Sequence, residues 1–181
     1  MARLSIVKIG RPVLRRKTAK VKPEMMRGPS FQHFLKDMAR VMHRCEGVGL
    51  AANQVGCGLQ AIVLECRSNS RYPGRPNVRL QTYLNPRILR YSKRTVEDWE
   101  GCLSIPGYRG LVPRAQKIVL EATTSDGRLV RKTAAGFEAR ILQHEVDHIN
   151  GLFYIDRMKN LKSWMHLDEF ASRLSVKKPK S

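Results

Sequence analysis

The 181-residue chain is 42% hydrophobic and 7% aromatic, and it carries a formal net charge of +19. That length suffices for one domain with its own core (residues 1–181), and the apolar content excludes an intrinsically disordered polymer. No apolar run approaches the roughly 20 residues needed to cross a bilayer, and Cys45, Cys57, Cys66 and Cys102 form no CxxC pair or disulfide framework. A reducing, cytoplasmic location is expected. The opening Met1–Val7 lacks the apolar region and cleavage site of a secretory signal, and an organelle is the alternative if a transit peptide was removed. Lys and Arg are densest at Arg11–Lys22, Arg67–Arg79 and Lys177–Lys180. Such a field attracts polyanions, so RNA or ribosome contact stands beside a merely solvated surface.

The first twenty-odd residues read as extended and loop-like, broken at Gly10-Arg11-Pro12. Phe31, Phe34, Leu35, Met38, Val41, Met42 and Cys45 then recur at helical spacing and predict an amphipathic helix with Ser30 as N-cap. Gly47–Gly58 reads as a glycine-punctuated loop, Leu59–Glu65 as a short strand and Arg67–Arg79 as an exposed loop. Tyr83–Leu89 and Lys117–Thr123 are strand candidates, and Ser125-Asp126-Gly127-Arg128 turns into Leu129–Thr133 as a hairpin. A second helix is expected from about Ala135 to Ile149, stopped by Asn150-Gly151, and a third around Leu161–Leu174. Strands cluster before the central helix without regular βα alternation. The expected class is therefore α+β, with antiparallel sheets packed around that helix.

The central helix carries His144-Glu145-Val146-Asp147-His148, an H-E-x-x-H pattern. Four residues is close to one helical turn, so both imidazoles project from one face within reach of a single metal ion. Glu145 is rotated roughly 100° from His144, which lets its carboxylate serve a nearby water without acting as a ligand. Phe137, Ile141, His144 and His148 share one stripe, and buried histidines need partners. A third ligand is not settled by spacing. Glu169 is a distant acidic candidate. Cys102, between Gly101 and a turn ending at Pro106-Gly107, is another, although a buried cysteine is by itself the commoner reading. Gly47-Val48-Gly49-Leu50-Ala51-Ala52 superficially matches a dinucleotide fingerprint. It has a helix before it and a strand after it, the reverse of what that motif needs. A small-residue loop that brings backbone close to a substrate, with Gln54 as hydrogen-bond donor, survives.

Together Gly47–Gln54, Glu100–Ser104 and Gln143–Gly151 resemble the peptide deformylase family, whose pattern is GxGLAAxQ, EGCLS and QHExDHxxG in that order. Ile9–Arg15 is similar to the family's opening, and the resemblance extends from about residue 5 to about residue 158. It implies removal of the formyl group from formyl-methionine of nascent chains by an enzyme holding one divalent metal ion. Iron(II) is the family expectation, while Zn²⁺, Ni²⁺ or Co²⁺ also suit two imidazoles and a thiolate. It implies Cys102, His144 and His148 as ligands, Glu145 as proton shuttle, and the Gln54 amide and Leu103 backbone N–H on the oxyanion. Glu100 and Asp147 are implied as residues that orient the ligands. Val48, Gly49, Gly101, Phe137, Arg140 and Ile141 are implied around the substrate, with Arg109 near the peptide cleft. Arg140 departs from the aliphatic residue many relatives carry there. The C-terminal helix and basic tail, about 159–181, or the basic surface, offer a ribosome contact, with no membrane attachment; monomer and dimer both stay open. Two other functions compete: a general H-E-x-x-H metalloprotease, and a basic RNA-binding module with a structural metal.

Overall fold

The computed structural model describes residues 4–67, 74 and 76–176. Helices are α1 (Pro23–Met26), α2 (Pro29–Arg44), α3 (Gly136–Ile149) and α4 (Leu167–Val176). Strands are β1 (Gly49–Ala51), β2 (Ala61–Cys66), β3 (Val78–Tyr91), β4 (Thr95–Cys102), β5 (Ile105–Ala115), β6 (Lys117–Thr124), β7 (Leu129–Ala135) and β8 (Met165–His166). They build a five-stranded sheet in the order β1-β2-β3-β6-β7 and a three-stranded sheet β4-β5-β8, with every pairing antiparallel. The α+β expectation holds, with α3 at the centre.

Strand β2 shows why the layers form. All six of its residues are buried, and successive side chains of a strand point to opposite faces. Ala61 and Val63 join Phe31, Leu35, Met38 and Met42 of α2 in one core cluster. Ile62 and Leu64 join Ile141, Leu142, Val146 and Ile149 of α3 in another. The five-stranded sheet is thus covered by α2 on one face and α3 on the other, which explains an unbroken apolar run where a half-exposed strand would alternate.

Several local expectations change. Ser30 does not cap α2: Gly28 is the N-cap and Pro29 the first helical residue, whose fixed φ and missing N–H suit that position. The stretch Gly47–Gly58 is more than a loop, since β1 pairs with β2 there and Ala52–Val55 forms a 3₁₀ turn closed by Gly56 at φ +84°. The C-terminal helix starts only at Leu167. Leu161–Ser163 is a 3₁₀ turn capped by the Asn160 side chain, and Met165–His166 leaves the helical path to pair with Arg109 and Tyr108 of β5. Strands β4 and β5 were not foreseen, because Pro106, Gly107, Gly110 and Pro113 break any simple β pattern. Pro113 is accommodated beyond the reach of β8, where that edge of β5 needs no donor. Most of Arg67–Arg79 and the tail Lys177–Ser181 lie outside the described residues.

The N-terminal segment wraps past the end of α3. Thr18 donates both its N–H and its hydroxyl to the Ile149 carbonyl, each at 2.9 Å, Arg15 pairs with Asp156, and its guanidinium stands 4.4 Å from the Phe153 ring centroid. Gly151 makes this crossing possible. It sits at φ +78°, and a Cβ there would come within 2.8 Å of the Arg15 carbonyl carbon and 3.3 Å of that of Arg16. Both obstacles are backbone. Gly151→Ala is therefore expected to cost more than about 2 kcal/mol, from left-handed strain plus the clash. Thermal denaturation should show a fall of roughly 5–10 °C in Tm; an unchanged Tm would show that the crossing is loose.

Candidate metal centre

Four elements converge on one cavity. Its lining includes Gly47, Val48 and Gly49 entering or within β1, Gln54 from the 3₁₀ turn, Trp99–Leu103 from the end of β4, and Phe137, Arg140, Ile141, His144 and Glu145 from α3. Both β1 and β4 are edge strands of their sheets. The cavity therefore lies between two sheet edges, with α3 as its floor.

At the bottom, potential ligand atoms of Cys102, His144 and His148 all lie within 4.8 Å of one another, and all three residues are buried. His148 Nε2 stands 3.2 Å from both Cys102 Sγ and His144 Nε2. His144 Nδ1 is 2.8 Å from Glu100 Oε2; donating its proton there leaves the Nε2 lone pair facing the other two residues. Burial, then the charge of His144, pushes His148 well below its ordinary pKa, towards the neutral form that offers a lone pair. At His144 burial acts downward too, but the Cys102 sulfur and the Glu100 carboxylate outweigh it and raise the value, so a cation binding there has to displace the Nε2 proton. The sulfur accepts from Gln54 Nε2 and the Ser104 N–H, both at 3.4 Å. A borderline cation suits this S/N/N donor set, and three protein ligands leave room for water.

Glu145 follows His144 on α3 and is turned onto β1. A Cβ on Gly49 would lie 2.8 Å from Glu145 Cδ and 2.9 Å from its Cγ, so only glycine leaves the carboxylate its seat. Glu145 Oε2 is buried and finds no hydrogen-bond partner among the described residues. Burial raises its pKa to about 7, against the opposing attraction of His144. A buried carboxyl group with one unpartnered oxygen, beside a cluster of ligand atoms, is suited to moving protons near neutral pH. Gln54 is oriented too: its Oε1 accepts the Ala51 N–H at 2.9 Å, which turns the amide NH₂ towards Cys102 and Ser104. Leu103 lines the cavity, and its carbonyl accepts from Lys8 Nζ at 3.1 Å.

The site rests on a buried charge network whose connecting residue, Arg114, the sequence did not reveal. Arg114 donates to both oxygens of Glu100, at 2.9 and 3.0 Å, and also to Asp147. Asp147 is also paired with Arg157, and Arg114 links it to Glu100. Burial opposes ionisation of Glu100, but Arg114 and His144 together hold its carboxyl well below the usual carboxylate range. Arg140 adds a second guanidinium to Glu100, at 2.8 Å, and donates to the carbonyls of Val112 at 2.9 Å and Val96 at 2.6 Å. It lines the cavity, yet its charged head is committed to β4 and β5 rather than to solvent. Val48, Gly49, Gly101, Phe137 and Ile141 are brought to the same cavity. Arg109 is not among the lining residues; it faces Gly101 across the β4–β5 ladder and lies against Phe170 of α4. Glu169 is exposed on α4, and no metal-sized group of His, Cys, Asp or Glu among the described residues includes it. Gln143 was also missed as a working residue. Its side-chain amide grips Ala115 like a strand partner, accepting at 3.0 Å and donating at 2.9 Å, and this ties α3 to β5. No spacing rule marks Arg114 or Gln143, because their partners are 14 to 33 residues away.

Residues 3–164 match the polypeptide deformylase family. A peptide deformylase 2 from Nostoc sp. is 41% identical over 157 residues, covering 87% of this chain and 87% of that protein. Peptide deformylase 1 from Nitrosomonas europaea is 36% identical over 163 residues, covering 90% and 92%. Among solved structures, a class I type b peptide deformylase from Acinetobacter baumannii superposes with a TM-score of 0.85 at 34% identity, over 88% of this chain and 100% of that one. Its Met-Ala-Ser bound crystal structure gives a TM-score of 0.83 at 36% identity, over 87% and 99%.

The contact between Gly49 and Glu145 yields a sharp expectation. Gly49→Ala should leave the fold intact but displace the carboxylate by a large fraction of an ångström. Misplacement on that scale costs on the order of 100-fold in turnover. Steady-state kinetics alongside circular dichroism would read this, and wild-type turnover by a folded Gly49→Ala protein would refute the steric account.

Proposed function

The chain belongs to the peptide deformylase family, enzymes that hydrolyse the N-terminal formyl group from nascent polypeptides, and on that premise we propose how its own residues divide the work. Cys102, His144 and His148 hold one divalent metal ion, with Fe²⁺ as the native metal and Zn²⁺, Ni²⁺ or Co²⁺ as substitutes that suit the same donors. When bound, the ion supplies Lewis acidity towards the formyl oxygen and lowers the pKa of an adjacent water. Glu145 takes the proton of the attacking water and passes it to the departing methionine amine, so that formate leaves. Gln54 donates to the developing oxyanion through the NH₂ that the Ala51 N–H has turned inward, and the Leu103 N–H is the second donor. Glu100 and, through Arg114, Asp147 keep His144 in the tautomer and orientation that a ligand needs.

The nascent peptide lies extended between the edges of β1 and β4, its backbone satisfied there as an added strand. The methionine side chain enters among Val48, Phe137 and Ile141, with Gly49 and Gly101 allowing close backbone approach and the stem of Arg140 completing the wall. Arg109 sits behind Gly101 and acts on the cleft through that strand. The enzyme works in the cytoplasm, and its positive surface favours contact with ribosomal RNA. None of its helices, among the described residues, is long and apolar enough to cross a membrane. The metalloprotease and RNA-module readings are set aside, because the matching relatives and solved structures named above are peptide deformylases.

The observation that carries this reading is the pairing of a compact S/N/N ligand cluster with the buried, half-unpartnered carboxylate of Glu145 in one cavity. Protein purified without oxygen should contain one metal ion per chain and release formate from formyl-Met-Ala-Ser. Glu145→Ala should keep the metal and lose about 10²–10⁴-fold in rate, the usual worth of a positioned acid/base. Cys102→Ala should lose the metal itself. A metal-loaded wild-type protein that releases no formate would overturn the proposal.

A further inference from the structure

Both imidazoles of the cluster present Nε2 to it, but their Nδ1 atoms differ in surroundings. His144 Nδ1 donates to Glu100 at 2.8 Å. His148 Nε2 faces Cys102 and His144, while its Nδ1 is buried and has no hydrogen-bond partner among the described residues. A neutral imidazole that offers the Nε2 lone pair carries its proton on Nδ1. A buried N–H without an acceptor is costly, and metal-bound histidines almost always donate that proton to a carboxylate, a carbonyl or water.

An acceptor stands on the 3₁₀ turn Ala52–Val55. Asn53 is completely buried there, a costly place for an amide that is not hydrogen-bonded. Its Nδ2 donates to the His148 carbonyl at 2.6 Å, in the last turn of α3. The reverse orientation would set oxygen against oxygen, so the network assigns Nδ2 to that contact. Asn53 Oδ1 is left buried and without a partner among the described residues. The other such oxygen, Glu145 Oε2, belongs to a carboxylate seated against Gly49 of β1. The Asn53 amide is instead docked on His148 itself, and Nδ1 is the ring nitrogen nearer the main chain. The turn is a fixed platform, since the Val7 N–H donates to the Gln54 carbonyl at 2.8 Å and the Gly56 N–H to that of Asn53 at 3.1 Å. We infer that Asn53 is the positioning residue for His148. Its Nδ2 fixes the backbone of that residue. Its Oδ1, after a small rotation or through one water, accepts the Nδ1 proton and holds the ring with Nε2 on the cluster. This rests on His148 being a metal ligand, as proposed above. Gln54, the next residue, points to Cys102 and Ser104, so one short turn both orients a ligand and carries the oxyanion donor.

The test uses Zn²⁺-loaded protein with isotopically labelled histidine and asparagine. In wild type, nuclear magnetic resonance should find the His148 Nδ1 proton protected from solvent exchange and in dipolar contact with the Asn53 side-chain NH₂. A proton that exchanges freely, or that shows no such contact, would overturn the inference without any substitution. Zn²⁺ affinity, measured by chelator competition, reads the same role. Asn53→Leu, close in size, removes donor and acceptor and should weaken binding about 10- to 100-fold. Asn53→Asp keeps an acceptor and should stay within about threefold of wild type. Equal losses in the two variants would reduce Asn53 to a strut for the helix end and sink the proposal. His148→Ala should lose at least as much affinity as Asn53→Leu; unchanged binding there would remove the ligand assignment and this inference with it. Formate release enters none of these readings, so a failure of the proposed activity would be seen separately.

Discussion

The carboxylate of Glu100 is the constraint on which the rest of this structure depends. It is buried between β4, β5 and α3, and an ionised carboxylate in such a place is costly unless every lone pair is answered. Here Arg114, Arg140 and His144 answer them together. The arrangement works in two directions. The guanidiniums keep Glu100 charged, and the charged Glu100 fixes the imidazole of His144 with its lone pair turned towards Cys102 and His148. Arg114 and Arg140 are themselves anchored to Asp147 and to strand carbonyls, so the orientation of one ligand is tied to the packing of two strands against one helix. Removing a single member would leave unpaired charge behind, which is why such a network behaves as a unit.

The two sheets and α3 convert that local constraint into a cleft. Helix α3 buries one face on the five-stranded sheet and presents its remaining face to β5, where the Gln143 side chain substitutes for a strand partner. The same helix therefore belongs to the core and carries the reactive groups, which limits how far His144, Glu145 and His148 can drift. Close packing sets the tolerance. At Gly49 the carboxylate of Glu145 occupies the volume of an absent side chain, and at Gly151 the N-terminal segment does the same with backbone. Neither glycine is a hinge; both are places where two parts of the chain share space.

Arg140 shows how a charged residue can be absorbed beside an apolar pocket. A charged residue among Phe137, Ile141 and Val48 looks disruptive in an apolar pocket. The fold instead draws its guanidinium through to Glu100 and the carbonyls of Val96 and Val112, leaving the aliphatic stem at the cavity wall. Helix α4 lies beyond the matched region, on the outer face of the sheet whose inner face carries Glu100 and Cys102. Both features alter the surroundings of the centre while leaving its donor atoms untouched.

The sequence by itself determined what depends on short-range periodicity. His144, Glu145 and His148 are ordered by one turn of helix, so their shared face was legible from spacing, as were α2, the Ser125–Arg128 hairpin and the α+β class. Cys102 and Gln54 were legible only through resemblance to a family, since nothing local distinguishes a ligand cysteine from a packed one. Tertiary structure alone decided the rest. Strands β4 and β5 form despite their prolines and glycines because pairing and burial outweigh weak local preference. The roles of Arg114, Arg140 and Gln143 exist only once residues 14 to 40 positions apart are brought within hydrogen-bond distance. The same holds for Trp99 and Phe170, which a strand and a remote helix bring into contact. Long-range electrostatics and packing have no period for a sequence pattern to display, and that is the physical reason the cluster of Cys102, His144 and His148 could be anticipated while Arg114, which joins Glu100 to Asp147 behind it, could not.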